Sequence, residues 1–228
     1  MPPAASSWAA EAAAVFAREW RAELRTRYAL NTIALFALTT LVVLSVSLGP
    51  LGAAGAERAT VLPVLLWVLL LFAAAAGLPR AFVHEEESHS ATALRLAATP
   101  SALFVGKLLY GAALLAALEA LVAPLFLAMM QLAVARPALL VVALAAGGYG
   151  LAVASTLIAA IVAQARGKAA LFAVLGFPVL LPLLLLAIEL TRAAVTGAAA
   201  PEPLRQLLLY DATVTVAGLM LFPAVWTP

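Results

Sequence analysis

Residues 138–163 read ALLVVALAAGGYGLAVASTLIAAIVA, a run of 26 residues without a single Asp, Glu, Lys, Arg or His. Wound as an α-helix at about 1.5 Å per residue, such a run exceeds the roughly 30 Å of hydrocarbon in a bilayer. A stretch this long and this apolar reads as a membrane span. Working outward from it, five more runs of similar character predict helices near 29–48, 60–78, 102–124 (with 134 as the far limit), 169–190 and 207–226. Pro63, Pro124, Pro178, Pro182 and Pro223 lie inside or at the ends of these runs. Membrane helices tolerate them because neighbouring helices re-satisfy the freed backbone groups.

Composition agrees. Of the 228 residues, 66% are hydrophobic and 11% charged, with a mean hydropathy of +1.11. Soluble domains run near 45–50% apolar and about 25% charged, and a water-soluble fold of this size has too little interior to hide the excess. The expected class is an all-α integral membrane protein of six transmembrane helices, with residues 1–28 as a leader and 29–228 as one six-span domain. Neither a second domain nor an internal repeat is visible. With no cysteine, disulfides, thiolate metal sites and cysteine nucleophiles are excluded.

The basic residues carry topology rather than a nucleic-acid surface. Arg18, Arg21, Arg25, Arg27, Arg80, Arg95, Lys107, Arg166 and Lys168 fall on one side, against Arg58, Arg136, Arg192 and Arg205 on the other. By the positive-inside rule the first group is cytoplasmic. Both termini, the loop 80–101 and the turn 164–168 are then expected in the cytoplasm.

Four segments carry chemistry worth weighing. Residues 1–28 hold Glu11, Arg18, Glu19, Arg21, Glu23, Arg25 and Arg27 ahead of the first long apolar run, so no cleavable signal is expected. Phe16, Trp20, Leu24 and Tyr28 recur every four residues opposite Arg18, Arg21 and Arg25. That pattern predicts an amphipathic helix in the membrane interface, against the blander alternative of a charged leader.

The loop 80–107, RAFVHEEESHSATALRLAATPSALFVGK, opens on Glu85, Glu86 and Glu87, with Ser88 and Ser90 as candidate helix caps. A short helix carrying Leu94 and Leu96 follows and closes at Thr99-Pro100. It is either a grip for a soluble partner or a solvated loop. His84 and His89, five apart, do not match the i,i+4 spacing of a helical metal pair, and no metal site is expected. Glu119, inside the third span, is the ionisable residue of most interest, because a carboxylate in hydrocarbon is costly unless paired, protonated or hydrated. Its alternatives are a functional group, a partner for Arg136, or an interhelical hydrogen bond. Glu189 and Asp211 are expected near span ends. Gly147-Gly148-Tyr149-Gly150 superficially resembles a potassium-filter sequence, yet it sits within an unbroken span. Ala146, Gly150 and Ala154 instead form a small-residue ridge that lets helices approach closely. Neither GKLLY nor RGKAA supplies the Gly-x4-Gly-Lys-Ser/Thr loop that cradles phosphates, so ATP is not expected on this chain.

Several motifs are shared with one known family: Glu23-Leu24-Arg25 before the first span, and Leu66-Trp67-Val68 in the second. The loop follows with Arg80, Phe82, Glu85, Glu86, Glu87, Leu94, Leu96, Pro100, Gly106 and Lys107. Further on stand Gly176, Phe177, Pro178 and Pro182, then Phe222-Pro223. On these residues the chain resembles the permease subunits of type-2 ABC exporters. It is most similar to the CcmB family, the haem exporter protein B of cytochrome c maturation. It departs from the family pattern at His89, Ala91 and Thr92.

The resemblance implies that the loop is a coupling helix, with Glu85, Glu86, Glu87, Leu94, Arg95, Leu96 and Pro100 at the interface with a separate ATP-binding ABC subunit. It implies ATP and Mg on that partner, and no cofactor bound directly to this chain with haem in the assembly. The further partners would be a haem-handling membrane subunit and a small single-span subunit, with one or two copies of this chain. The setting would be the bacterial cytoplasmic membrane. A non-catalytic permease subunit is thus expected; the alternative is the permease of another type-2 exporter, for lipid, glycan or drug.

Overall fold

The computed structural model describes residues 7–48, 56–77, 99–163 and 168–226. These residues form seven helices and no strand: α1 Trp8–Thr26, α2 Tyr28–Leu48, α3 Ala56–Gly77, α4 Pro100–Met129, α5 Pro137–Ala163, α6 Lys168–Thr196 and α7 Pro201–Trp226. Helices α2 to α7 are each long and apolar enough to cross a membrane. The six-span integral membrane class expected from the sequence is therefore the observed one.

Local chemistry explains the boundaries. Helices α4, α5 and α7 each begin with proline, whose fixed φ and missing N–H suit the first helical position. Helix α1 ends at Arg27, which adopts left-handed geometry at φ 53° and donates its backbone N–H to the Glu23 carbonyl. The spans run longer than the apolar runs suggest. Helix α4 passes Pro124 and ends at Met129, inside the far limit of 134, and α6 continues through Arg192 to Thr196. The gap between the spans expected at 169–190 and 207–226 therefore shrinks to 197–200. The cause is visible at the shared end of α5 and α6. Arg136 and Ala135 donate their backbone N–H groups to the carbonyls of Ala194 and Val195, which fastens the last turn of α6.

Helix α5 is the axis of the bundle, packed against α3, α4, α6 and α7. Ten consecutive residues, 151–160, are buried, so this part of α5 is covered on every face. Peripheral α2 buries only Ala29, Ile33, Ala37 and Leu41, a single stripe at four-residue spacing, and exposes Leu35, Phe36, Val42, Val43 and Val46. Outward Phe177, Leu185, Leu209, Val216 and Met220 extend this apolar surface around the bundle. Water would penalise so much exposed hydrocarbon; lipid does not.

Candidate functional site

Two constellations stand out, one at the start of α4 and one at the middle of α5. The first joins α1 to α4 by side chains. The Trp8 indole donates to Ser101 Oγ at 2.9 Å, and Glu11 Oε2 accepts from the Thr99 backbone N–H at 3.0 Å and from its hydroxyl at 2.9 Å. The Thr99 side chain makes no capping bond to the α4 backbone, so α1 supplies the anionic cap that the positive helix end favours. At Gly106, a Cβ would meet Val15 Cβ at 2.6 Å and the Ala12 carbonyl at 2.8 Å. Glycine is what lets the α1 backbone lie against α4. One residue on, buried Lys107 pairs with Glu19 at 3.6 Å, and Glu19 also holds Arg18. Buried Glu23 accepts from the Tyr110 hydroxyl at 3.2 Å and from the Leu30 backbone N–H at 2.8 Å, which seats the start of α2 as well.

This arrangement corrects the residue pattern expected for α1. Phe16 and Trp20 do pack on the body, stacked at 5.9 Å with Trp20 edge-on to Tyr110, but Leu24 and Tyr28 are exposed. Along α1 the step from Trp20 to Leu24 winds about 40° further off the contact face, and Tyr28 lies beyond the left-handed turn at Arg27, at the start of α2. The stripe that meets α4 is Ala12, Val15, Glu19 and Glu23, at helical spacing. Its carboxylates look solvent-facing in sequence, and their partners Lys107 and Tyr110 come from elsewhere in the chain. Sequence reasoning used Gly106 as a point of resemblance and Lys107 for that and for topology; the structure gives both a physical task.

Removing the Lys107 amine leaves Glu19 half-compensated in a buried setting. Lys107→Met, which keeps the stem's volume, is expected to cost about 3 kcal/mol, near the lower bound for a broken buried pair because Arg18 remains. Tryptic cleavage of membranes after Arg18 and Arg21 should then accelerate. An unchanged cleavage rate would mean that apolar contacts alone hold α1.

The second constellation is the Gly147-Gly148-Tyr149-Gly150 stretch. Successive residues of a helix point about 100° apart, and here each receives a different neighbour. The Trp67 ring of α3 lies on Gly147, the Glu119 carboxylate of α4 on Gly148, and Asp211 of α7 with Leu183 of α6 on Gly150. The Tyr149 hydroxyl meets Thr215 Oγ1 of α7 at 3.0 Å. Trp67, fully buried, donates its Nε1–H to Thr191 of α6 at 2.8 Å. Close packing is what the small-residue reading expected, with side chains rather than neighbouring backbones filling the notches.

Glu119 is 7% exposed, and its Oε1 is buried with no hydrogen-bond partner. The pairing with Arg136 is not found: that guanidinium donates to the Ala198 carbonyl. Asp211 departs from expectation. It is not at a span end but is the eleventh residue of α7, 5% exposed, with its Oδ1 unpartnered. Glu119 and Asp211 approach α5 at glycines two apart, about 200° around the helix, so they do not form one carboxylate pair. Glu189, half-exposed and 3.5 Å from Arg192, lies seven residues before the end of α6.

Of the expected coupling-helix residues, Glu85, Glu86, Glu87, Leu94, Arg95 and Leu96 lie outside the described residues, as do His84, His89, Ser88 and Ser90. Pro100 is described and opens α4. Arg58, counted in sequence only for topology, donates to the Met130 carbonyl at 2.9 Å, where a cation suits the negative helix end.

A search of curated proteins returns no match for the chain. The family model of the CcmB protein matches residues 10–225.

Proposed function

The chain belongs to the CcmB family, and from that membership and the geometry above we propose the coupled role it has in its complex. CcmB proteins are membrane permease components of cytochrome c maturation. This chain is the permease subunit whose movement is driven by ATP hydrolysis on a separate ABC subunit, and its work is the release of haem-loaded chaperone. Its setting is the bacterial cytoplasmic membrane, with both termini and the loop 80–101 inside. A haem-handling membrane subunit and a small single-span subunit complete the assembly.

The observation that supports coupling most is the junction of α1 with α4. The loop proposed to meet the ATPase leads straight into Thr99, and at Thr99 the chain is bound by Glu11. Lys107 and Tyr110 continue the attachment along α4. A displacement of the loop is thereby passed to α1, to the start of α2 through Glu23 and Leu30, and to α4. Farther along α4, Glu119 meets Gly148 of the central helix. Two conformations that differ in affinity for the ATPase are what such a transfer requires.

Affinity purification in mild detergent tests this role. An ATP-binding chain, a haem-handling membrane chain and haem are expected in the purified complex. A chain recovered without any ATP-binding partner would overturn the proposal. Glu119 is assigned to the conformational step. Glu119→Gln should leave membrane abundance unchanged and lower the yield of mature c-type cytochrome about five- to hundredfold, the span of typical coupling energies. Reduced abundance with full yield per remaining complex would make Glu119 a packing residue instead.

A further inference from the structure

An open groove of about 700 Å³ runs between α5 and α7, outside the contacts used above for coupling. Its polar groups are Tyr149, Asp211 and Thr215; Ala145, Ala146 and Ala212 supply small side chains on both walls. Val142, Leu208 and Val216 line it too and are 41%, 53% and 56% exposed. Small side chains let a further helix approach closely, and polar groups between helices hold it in register.

The chemistry of the polar groups narrows the occupant. The Thr215 hydroxyl donates to the Asp211 carbonyl at 2.6 Å. The Tyr149 hydroxyl, 3.0 Å from Thr215 Oγ1, must then be the donor in that pair. Tyr149 keeps only acceptor capacity, and Asp211, which also lines the groove, contributes a carboxylate whose Oδ1 is seated on Gly150 and makes no hydrogen bond. The polar edge thus offers acceptors and calls for a donor, preferably a cation. Tyr149 and Asp211 are the thirteenth and eleventh residues of α5 and α7. That puts them about 15–18 Å from the helix starts, out of reach of a lipid headgroup. A second copy of this chain does not fit either. Among the described residues, the one lysine or arginine more than five residues from both ends of a span is Lys107, and it is buried against α1.

We propose that the α5/α7 groove docks a transmembrane helix of a different membrane subunit, one carrying a lysine or arginine at mid-depth that pairs with Asp211. The proposal rests on the reading that the chain works in a multi-subunit complex, and it deepens that reading by naming the contact.

A photo-crosslinking residue at Ala212, in cells expressing the whole complex, should capture a membrane subunit other than this chain. The captured peptide should lie within about one helical turn of a lysine or arginine in an apolar span. Asp211→Asn, nearly isosteric, should lower recovery of that subunit per copy of this chain about three- to twentyfold, the range for one interhelical hydrogen bond. Recovery of the ATP-binding subunit should stay unchanged. Crosslinks only to lipid or to a second copy of this chain, or equal recovery with Asp211→Asn, would overturn the proposal. Loss of the ATP-binding subunit from the unmutated complex would count against the coupled role instead.

Discussion

Gly147→Val is expected to be the most damaging single change in the bundle, lowering folded protein in the membrane to a small fraction of the wild-type amount. Even one methyl at this position falls within the Trp67 ring. That ring has no room to retreat. Trp67 is fully buried, neighbouring Leu66 and Leu70 are 1% and 0% exposed, and its Nε1–H is committed to Thr191. Overpacking of this kind typically costs 1–3 kcal/mol, and loss of the indole hydrogen bond adds about 1 kcal/mol. Together that is about 3 kcal/mol, a large share of the roughly 5–15 kcal/mol that holds a domain folded. Pairing Gly147→Val with Trp67→Leu vacates the clashing volume and should recover part of the loss, as coupled neighbours do. Membrane abundance and resistance to thermal aggregation in detergent measure both. Normal abundance of Gly147→Val alone would mean that Trp67 is not seated on α5.

The spans were legible in the sequence because hydrocarbon sets one demand, about 20 apolar residues in a row, and residues 138–163 meet it without exception. Their ends were less so. Pro124 left the end of α4 open between 124 and 134, and the last turn of α6 depends on bonds from Ala135 and Arg136, about 60 residues earlier. The α1 contact was misread for a related reason. A search for apolar periodicity finds Phe16, Trp20, Leu24 and Tyr28 and passes over Glu19 and Glu23, whose burial is compensated by distant Lys107 and Tyr110. Glu119 was legible as a cost, a carboxylate amid hydrocarbon, whereas Asp211 was set aside because the last span was placed at 207–226, which puts Asp211 near its start. Helix α7 begins at Pro201, six residues earlier, so Asp211 is carried inward. The role of Gly147, Gly148 and Gly150 as seats for three separate side chains needs the neighbours' identities, which spacing along α5 does not contain.

The second large effect is expected in the loop that leads to α4. A permease without a nucleotide site of its own has to receive its driving movement through a protein contact, and apolar anchors at the centre of such a contact commonly cost about 2 kcal/mol or more when lost, roughly thirtyfold in affinity. Leu94 and Leu96 are the apolar residues proposed as those anchors, and Glu85, Glu86 and Glu87 the charged rim. Reversing Glu86 and Glu87 to lysine should chiefly slow association. Replacing both leucines with Asp should remove the contact and leave the bundle intact, since α4 is capped at Thr99 by Glu11 and begins only at Pro100. The direct measurement is a titration of the purified ATP-binding subunit onto this chain held in lipid nanodiscs, with ATP turnover followed in the same samples. Binding weakened about thirtyfold or more by Leu94→Asp with Leu96→Asp, at unchanged yield of the membrane chain, is the predicted result. Equal affinity and equal turnover for the two forms would contradict the assignment of this chain as an ATP-driven permease that is moved through its loop.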